Sequence, residues 1–182
     1  HAELPESGMQ QLAEAMVGPI REHIRFDCEV AALDVGRGVV LSDDSHLEAA
    51  HVVLALPWDV TARLLGVEMS TAAASWSGTT AVHFRMRSSS SLQPLIHLNG
   101  SGSGKVNLVC SPSSVSPGYV QKGWQSILVS LKPGRDRFSE EDLDSIREEA
   151  GVVMGMDSSQ WSHVATTSVP DALPAGDLSE LK

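Results

Sequence analysis

The pattern of hydrophobic and polar residues changes along the chain from a helical period to strand-like runs. In "SGMQQLAEAMVGP", residues such as Met9, Leu12 and Met16 recur at the spacing of one face of a helix. Ser7 has a residue type preferred at a helix N-cap, and Gly18 followed by proline is a typical helix end. This segment therefore predicts a short amphipathic helix.

The segment that follows predicts strands. "HIRFDCEVAALDV", a turn at residues 36–38 and "VVLSDDSHLEAA" have the short apolar runs and polar turns of a β-meander. "HVVLALP" does not alternate in polarity, which predicts an inner strand covered on both faces. Pro57 cannot continue a β-ladder but can begin a helix, so "PWDVTARLLG" is predicted to be helical.

A second lobe is predicted after Gly66. Residues 67–80 are small and polar and are expected to cross into it. The strand candidates that follow are "TAVHFRM", "PLIHLNG", "KVNLVC", "SILVSL" and a last strand, "WSHVATTSVP", which ends at Pro170. A helix is predicted to begin at Ser139 and to bury Leu143, Ile146, Ala150 and Val153. The predicted fold class is α+β, with a β-meander and inner strand followed by a lobe with a mainly antiparallel sheet and flanking helices.

Charge and composition exclude several kinds of partner. The 13 Lys and Arg residues against 23 Asp and Glu give a net charge of −10, which repels a phosphate backbone, so no nucleic-acid partner is expected. No apolar run approaches the roughly 20 residues of a membrane span, and residues 1–10 lack the features of a secretory leader. Cys28 and Cys110 are expected to be reduced thiols, which favours the cytoplasm.

Sequence motifs for several kinds of chemistry are absent. Gly100 to Gly104 has the wrong spacing for a phosphate-binding loop, and no GxGxxG occurs. The histidines show neither HxH nor HExxH spacing, so no metal site is predicted. Ser113 and Ser114 lie in no GxSxG, and a hydrolase is set aside for that reason. No catalytic acid, base or nucleophile can be assigned from the sequence.

Several segments together resemble a known family. "SGMQQLAEAM", "CEVAAL" and "HVVLALP" are similar, in order and spacing, to three pieces of the second FAD-domain segment of the flavin-dependent amine oxidase, protoporphyrinogen oxidase and phytoene desaturase superfamily. Residues 98–123 and 160–176 resemble substrate-lobe strands of a plant and cyanobacterial branch. The resemblance implies an FAD-domain segment over residues 1–66 and a substrate-binding lobe over residues 67–182.

The resemblance also implies roles for particular residues. Val30 would present its backbone to the adenine of FAD, and Ala55, Leu56 and Pro57 would lie close to the nucleotide part of the cofactor. Trp161 matches the family's tryptophan that introduces the last long strand of the substrate lobe, which runs back toward the flavin. Backbone amides and a dry apolar strand end can hold a dinucleotide without a charged side chain.

The chain departs from the family pattern in two ways. It lacks the GxGxxG motif and the segment that closes over the flavin, so we interpret it as a central fragment and do not expect tight FAD binding by this chain alone. Ala81 stands where many amine oxidases keep a lysine near the flavin, which favours a desaturase-like or undefined substrate.

Two hypotheses of function follow. The first is an FAD-dependent oxidoreductase that transfers a hydride from a small organic substrate to flavin, in the cytoplasm or in a soluble compartment of plastid or cyanobacterial type. The alternative is a non-enzymatic β-rich ligand-binding or scaffold domain. If strands that normally flank "VVLALPW" are missing, dimerisation or strand exchange through this edge is predicted, and a monodisperse monomer in sedimentation would count against it.

Overall fold

The computed structural model describes residues 4–67, 76–88, 92–133 and 138–175. The chain divides into two compact units, which are described separately: His1–Gly18 with Trp76–Leu173, and Pro19–Ser75 with Pro174–Lys182. The predicted domain boundary after Gly66 lies close to residues 68–75, which fall outside the described residues. The last part of the expected crossing segment, residues 76–80, belongs to a strand of the larger unit. None of the described helices is long and apolar enough to cross a bilayer.

The smaller unit contains the predicted β-meander. Its strands are β1 (Val30–Asp34), β2 (Gly38–Leu41) and β3 (His46–Glu48), paired antiparallel in the order β1-β2-β3. Gly38 has a φ of +136°, and a Cβ there would lie 2.8 Å from the backbone nitrogen of Ala49. The close approach of β2 and β3 therefore requires glycine at this position.

The predicted inner strand is wrong for this chain. Residues 51–57 belong to no strand, and Val53 is 88% exposed. The backbone N–H groups of residues 51–56 find no backbone partner within the described ranges, and a strand cannot form without a neighbour that accepts such bonds. The apolar composition predicts burial of this segment, but most of its residues are exposed and no described strand covers it. Association through this segment stays a prediction.

The two short helices of the N-terminal third follow the predictions with shifted ends. α1 spans Gln10–Val17, and Ser7 does not cap it through its side chain. A 3-10 turn, Gly18–His23, continues past the predicted end because a proline at the start of a helical turn gives up no needed hydrogen bond. α2 (Trp58–Leu65) begins directly after Pro57 and ends at Gly66, which has a φ of +65°.

The larger unit is built on a five-stranded sheet, and the predicted α+β class is confirmed. Its strands are β4 (Trp76–Arg87), β5 (Ile96–Leu98), β6 (Val106–Cys110), β7 (Trp124–Leu131) and β8 (Ser162–Pro174), in the order β5-β6-β7-β4-β8. The pairs β5-β6, β6-β7 and β7-β4 are antiparallel. β8 continues through Pro170, the predicted end, because an edge strand tolerates a residue with no N–H to donate.

One face of this sheet packs against α4 (Leu143–Met154). α4 is preceded by a 3-10 turn (Glu140–Asp142), and the Ser139 N–H donates to the Asp142 carboxylate at 3.2 Å, as expected for a helix that begins at Ser139. Register shifts by one residue between Val106 and Leu108, which turns both Val106 and Val109 into the core. The buried core residues are Val82, Phe84, Val106, Val109, Ile127, Val129, Ile146, Ala150 and Trp161.

The glycine-rich loop between β5 and β6 is fastened to α4 through Glu149. The Glu149 carboxylate accepts hydrogen bonds from Asn99 Nδ2 at 2.9 Å, Lys105 N at 2.9 Å and Val106 N at 3.2 Å. Backbone amides that could have held a phosphate group therefore hold a carboxylate of the protein itself. The loop is a structural connection between the sheet and its covering helix.

This loop gives a prediction with a matched control. Gly102 and Gly104 both have a φ of +73°, but a Cβ at Gly104 would clash with the Glu149 carboxylate, whereas a Cβ at Gly102 meets open space. We expect Gly102→Ala to lower the free energy of unfolding by about 1 kcal/mol, the cost of a left-handed alanine, and Gly104→Ala by about 2–3 kcal/mol. Urea denaturation measures both, and equal losses would contradict the anchoring role of Glu149.

Candidate functional site on the open sheet face

The sheet of the larger unit leaves the face opposite α4 open, and a cavity of about 610 Å³ lies on it. Side chains alternate across a strand, so Val82 and Phe84 of β4 face the core while His83 and Arg85 face the cavity. Arg85 is paired with Ser126 of β7, which lines the cavity as well. The volume is in the range typical of small-molecule sites, about 300–1,000 Å³.

A connection between β6 and β7 forms one wall of this cavity. It contains α3 (Pro112–Val115) and a 3-10 turn (Pro117–Tyr119), and it is held against β7 by Ser113, which is 2% exposed. The Ser113 hydroxyl donates to Gln125 Oε1 at 2.9 Å and accepts the Ser126 N–H at 2.9 Å. These partners are neutral, so Ser113 positions the wall and has no base to activate it.

Trp124, at the start of β7, has two cationic neighbours. The guanidinium carbons of Arg85 and Arg87 each lie 4.6 Å from the centroid of its ring, which is within cation–π distance. Arg87 pairs directly with Trp124 across the strands, and Arg85 lies two pairs further on, on the same face, so the antiparallel register produces this arrangement. Positive charge is therefore concentrated over the Trp124 ring at the cavity.

His83 lies on the same face, beside Arg85. Burial lowers the pKa of His83 below its ordinary value, and the coulombic interaction with the neighbouring His163 lowers it further. The folded protein therefore favours neutral His83 at neutral pH, with one ring nitrogen able to donate a hydrogen bond and the other able to accept one. His163 follows the core residue Trp161 on the chain, and its ring also contacts Phe84 edge-on, with centroids 6.0 Å apart.

The lowered pKa of His83 gives a prediction for stability against pH. As pH falls through 6.5, the ordinary histidine value, the unfolded state takes up a proton before folded His83 does. The contribution of neutral His83 to the free energy of unfolding is therefore fully present above that pH and is lost as pH falls further. We expect His83→Gln to lose less stability than wild type between pH 7.5 and 5.5, measured by urea denaturation; identical slopes would show that His83 titrates alike in both states.

The residues that the sequence predicted for cofactor binding lie in the smaller unit. Val30 begins β1 and is half-buried, while Ala55, Leu56 and Pro57 are exposed. The carbonyl groups of Leu56 and Pro57 accept hydrogen bonds from Thr61 Oγ1 and Thr61 N, so the first turn of α2 shapes the end of this segment. All four residues belong to the smaller unit, whereas the residues that line the cavity belong to the larger unit.

Residues 51–57, here called the nucleotide segment, have properties that fit part of FAD. The backbone N–H groups of this segment have no backbone partner among the described residues, and most of its apolar side chains are exposed, which suits the adenosine portion of a dinucleotide. The nearby N-terminus of α2 does not suit the pyrophosphate, because Asp59 lies in its first turn and repels a phosphate group. The residues present therefore fit the nucleoside side of the cofactor.

Trp161, the predicted substrate-side residue, lies in the hydrophobic core of the larger unit. It is 4% exposed, its ring centroid is 6.0 Å from that of Phe84, and it does not line the cavity. Its indole N–H is buried without a hydrogen-bond partner among the described residues. The contacts of Trp161 show that it packs in the hydrophobic core beside Phe84.

Sequence reasoning did not select His83, Arg85 or Trp124 as site residues. A signal was present, because in "TAVHFRMR" polar and apolar residues alternate and place His83, Arg85 and Arg87 on one face. In the described part of the chain, no group of three or more His, Cys, Asp or Glu side chains could hold a metal ion. Cys28 and Cys110 are both free.

The fold is of the α+β class and carries a cavity of the size of a small molecule. Comparison with solved structures identifies proteins with a similar fold. A protein from Pyrococcus furiosus, PF1083, matches with a TM-score of 0.68 and 11% identity over 92% of this chain and 44% of its own. Reduced UDP-galactopyranose mutase matches with a TM-score of 0.64 and 10% identity over 94% of this chain and 40% of its own. At these identities the likeness shows a shared fold.

The family is shown by a sequence model. The model of the flavin containing amine oxidoreductase family matches residues 1–167, and the chain belongs to that family. An oxidoreductase from Methanosarcina mazei matches in structure with a TM-score of 0.50 and 14% identity, over 80% of this chain and 37% of its own. The chain thus spans less than half of each of these three structures. Comparison with curated proteins gives no match.

Proposed function

We propose that the chain serves an FAD-dependent oxidoreductase in which a small organic substrate gives up a hydride to flavin. The observation that carries the proposal is the cavity of about 610 Å³ on the open sheet face of a chain that belongs to the flavin containing amine oxidoreductase family. A ligand-sized cavity alone suits both an enzyme and a non-enzymatic scaffold. Membership of an oxidoreductase family is what favours the enzyme.

The two units have different tasks in this proposal. In the smaller unit, Val30, Ala55, Leu56 and Pro57 hold the adenosine side of FAD by backbone contacts and apolar surface. FAD, when bound, supplies the hydride acceptor that protein side chains lack. In the larger unit, the cavity holds and orients the substrate.

The side chains of the cavity act by binding and by orienting the substrate. Leu128 and Val164 supply apolar walls. Arg85 and neutral His83 supply hydrogen-bond donors that fix the orientation of a polar group. A substrate held at both kinds of surface presents one particular carbon for oxidation.

A charge placed in the nucleotide segment tests the proposed cofactor contact. We expect Ala55→Glu to weaken FAD binding at least about tenfold, because its carboxylate would repel the cofactor's phosphates. Ala50→Glu is the matched control, since Ala50 is also exposed and belongs to the same unit, and it should bind like wild type. The change in FAD fluorescence on titration with the protein measures the affinity. Equal affinities of the two variants would contradict a role of Ala55 at the cofactor.

A further inference from the structure

The cavity carries a charge opposite to that of the chain. The chain has a net charge of −10, yet the described residues that line the cavity include Arg85 and no Asp or Glu. Arg87 adds a second guanidinium beside Trp124. Within the described ranges, no carboxylate lies at ion-pair distance from either arginine. Two cations thus lie over Trp124, which lines the cavity, with no counter-ion among the described residues.

Such an arrangement selects for the charge of a ligand. Two guanidinium groups beside the same ring repel each other, and an anion placed next to them lowers that repulsion. A guanidinium is weakly hydrated and presents a planar fork of N–H donors that matches a carboxylate. An ammonium group in the same place would add a third positive charge, so an amine is disfavoured here.

The surface next to the arginines selects for an apolar body. The two guanidinium groups lie over the Trp124 ring, and Leu128 and Val164 supply apolar surface on the same cavity. Ser126, opposite Arg85 across the strands, adds a small polar group two residues from Leu128. An apolar body can cover this surface, while a compact polar molecule would leave it exposed to water.

We propose, as a deepening of the function proposed above and resting on it, that the substrate is an organic acid with an apolar body. Its carboxylate lies at Arg85 and Arg87, whose guanidinium groups lie over Trp124, and its apolar body lies against Leu128 and Val164. This substrate is opposite in charge to the amines after which the family is named.

Three naphthalene probes of equal shape test the proposal on the chain as it stands. They are 1-naphthoate, neutral 1-naphthalenemethanol and cationic 1-naphthylmethylamine, titrated while the indole N–H resonance of Trp124 is followed by NMR. We expect 1-naphthoate to shift that resonance and to bind about tenfold more tightly than the neutral probe, and the amine to bind most weakly. The indole N–H resonance of Trp124 is assigned as the one that is missing from the spectrum of Trp124→Phe.

Variants then attribute the selectivity to the arginines. Arg85→Gln and Arg87→Gln should each weaken 1-naphthoate about fivefold or more and leave the neutral probe unchanged. Arg63→Gln, an exposed change of the same charge in the other unit, should leave both unchanged. No shift with 1-naphthoate, tighter binding of the amine, or wild-type affinity in both cavity variants would overturn the proposal. FAD binding in the other unit is measured separately, so a wrong substrate charge is distinguishable from a wrong cofactor.

Discussion

Replacing Trp161 with alanine is expected to lower the free energy of unfolding of the larger unit by about 3–5 kcal/mol. Trp161 is 4% exposed and packs beside Phe84 in the core between the sheet and α4, so its removal leaves a large cavity. Urea denaturation followed by far-UV circular dichroism measures the loss. The cavity on the opposite sheet face should keep its affinity for 1-naphthoate in the fraction that remains folded.

Trp161→Phe separates packing from a role at the substrate. Phenylalanine keeps much of the buried area, and the lost indole N–H has no hydrogen-bond partner among the described residues, so we expect a loss of only about 1–2 kcal/mol. If Trp161→Ala were instead as stable as wild type and impaired ligand binding, Trp161 would act at the substrate, as the family resemblance implies.

Replacing Glu149 with alanine is expected to cost about 2–4 kcal/mol, because three donors lose one shared acceptor. The donors are Asn99 Nδ2, Lys105 N and Val106 N, all within 3.2 Å of the carboxylate. Glu148→Ala is the matched control, since it removes the same charge from an exposed position of the same helix, and it should change stability by less than about 0.5 kcal/mol. Thermal or urea denaturation compares the two, and equal losses would show that the glycine-rich loop is not anchored by Glu149.

Much of the fold could be predicted from local signals. The β-meander follows from short apolar runs between polar turns, and α4 follows from the capping residue Ser139 ahead of it and the spacing of Ile146 and Ala150, which are both buried. Residues 51–56 were predicted wrongly as a strand because composition reports the tendency to be buried, whereas a strand also needs a hydrogen-bonding neighbour. That neighbour is a tertiary feature and leaves no local mark.

The candidate site was harder to predict than the fold. Arg85, Arg87 and Trp124 lie together only because β4 and β7 pair in one register, although about forty residues separate them along the chain. The alternation in β4 indicates which of its residues share a face, but it does not indicate which strand lies opposite. Trp161, which the family resemblance did point to, lies in the core of the larger unit.

NMR titration of the ¹⁵N-labelled chain with FAD shows whether the chain of this proposed flavin-dependent oxidoreductase contacts its cofactor. ADP, which carries the adenosine side of the cofactor, and FMN, which carries the flavin side, serve as comparison ligands. We expect FAD and ADP to shift the backbone amide resonances of Val30, Ala55 and Leu56, and FMN to leave these three resonances in place. The proposed cofactor contact would be contradicted if the chain is folded and these three resonances do not shift at millimolar FAD, or if only other resonances shift.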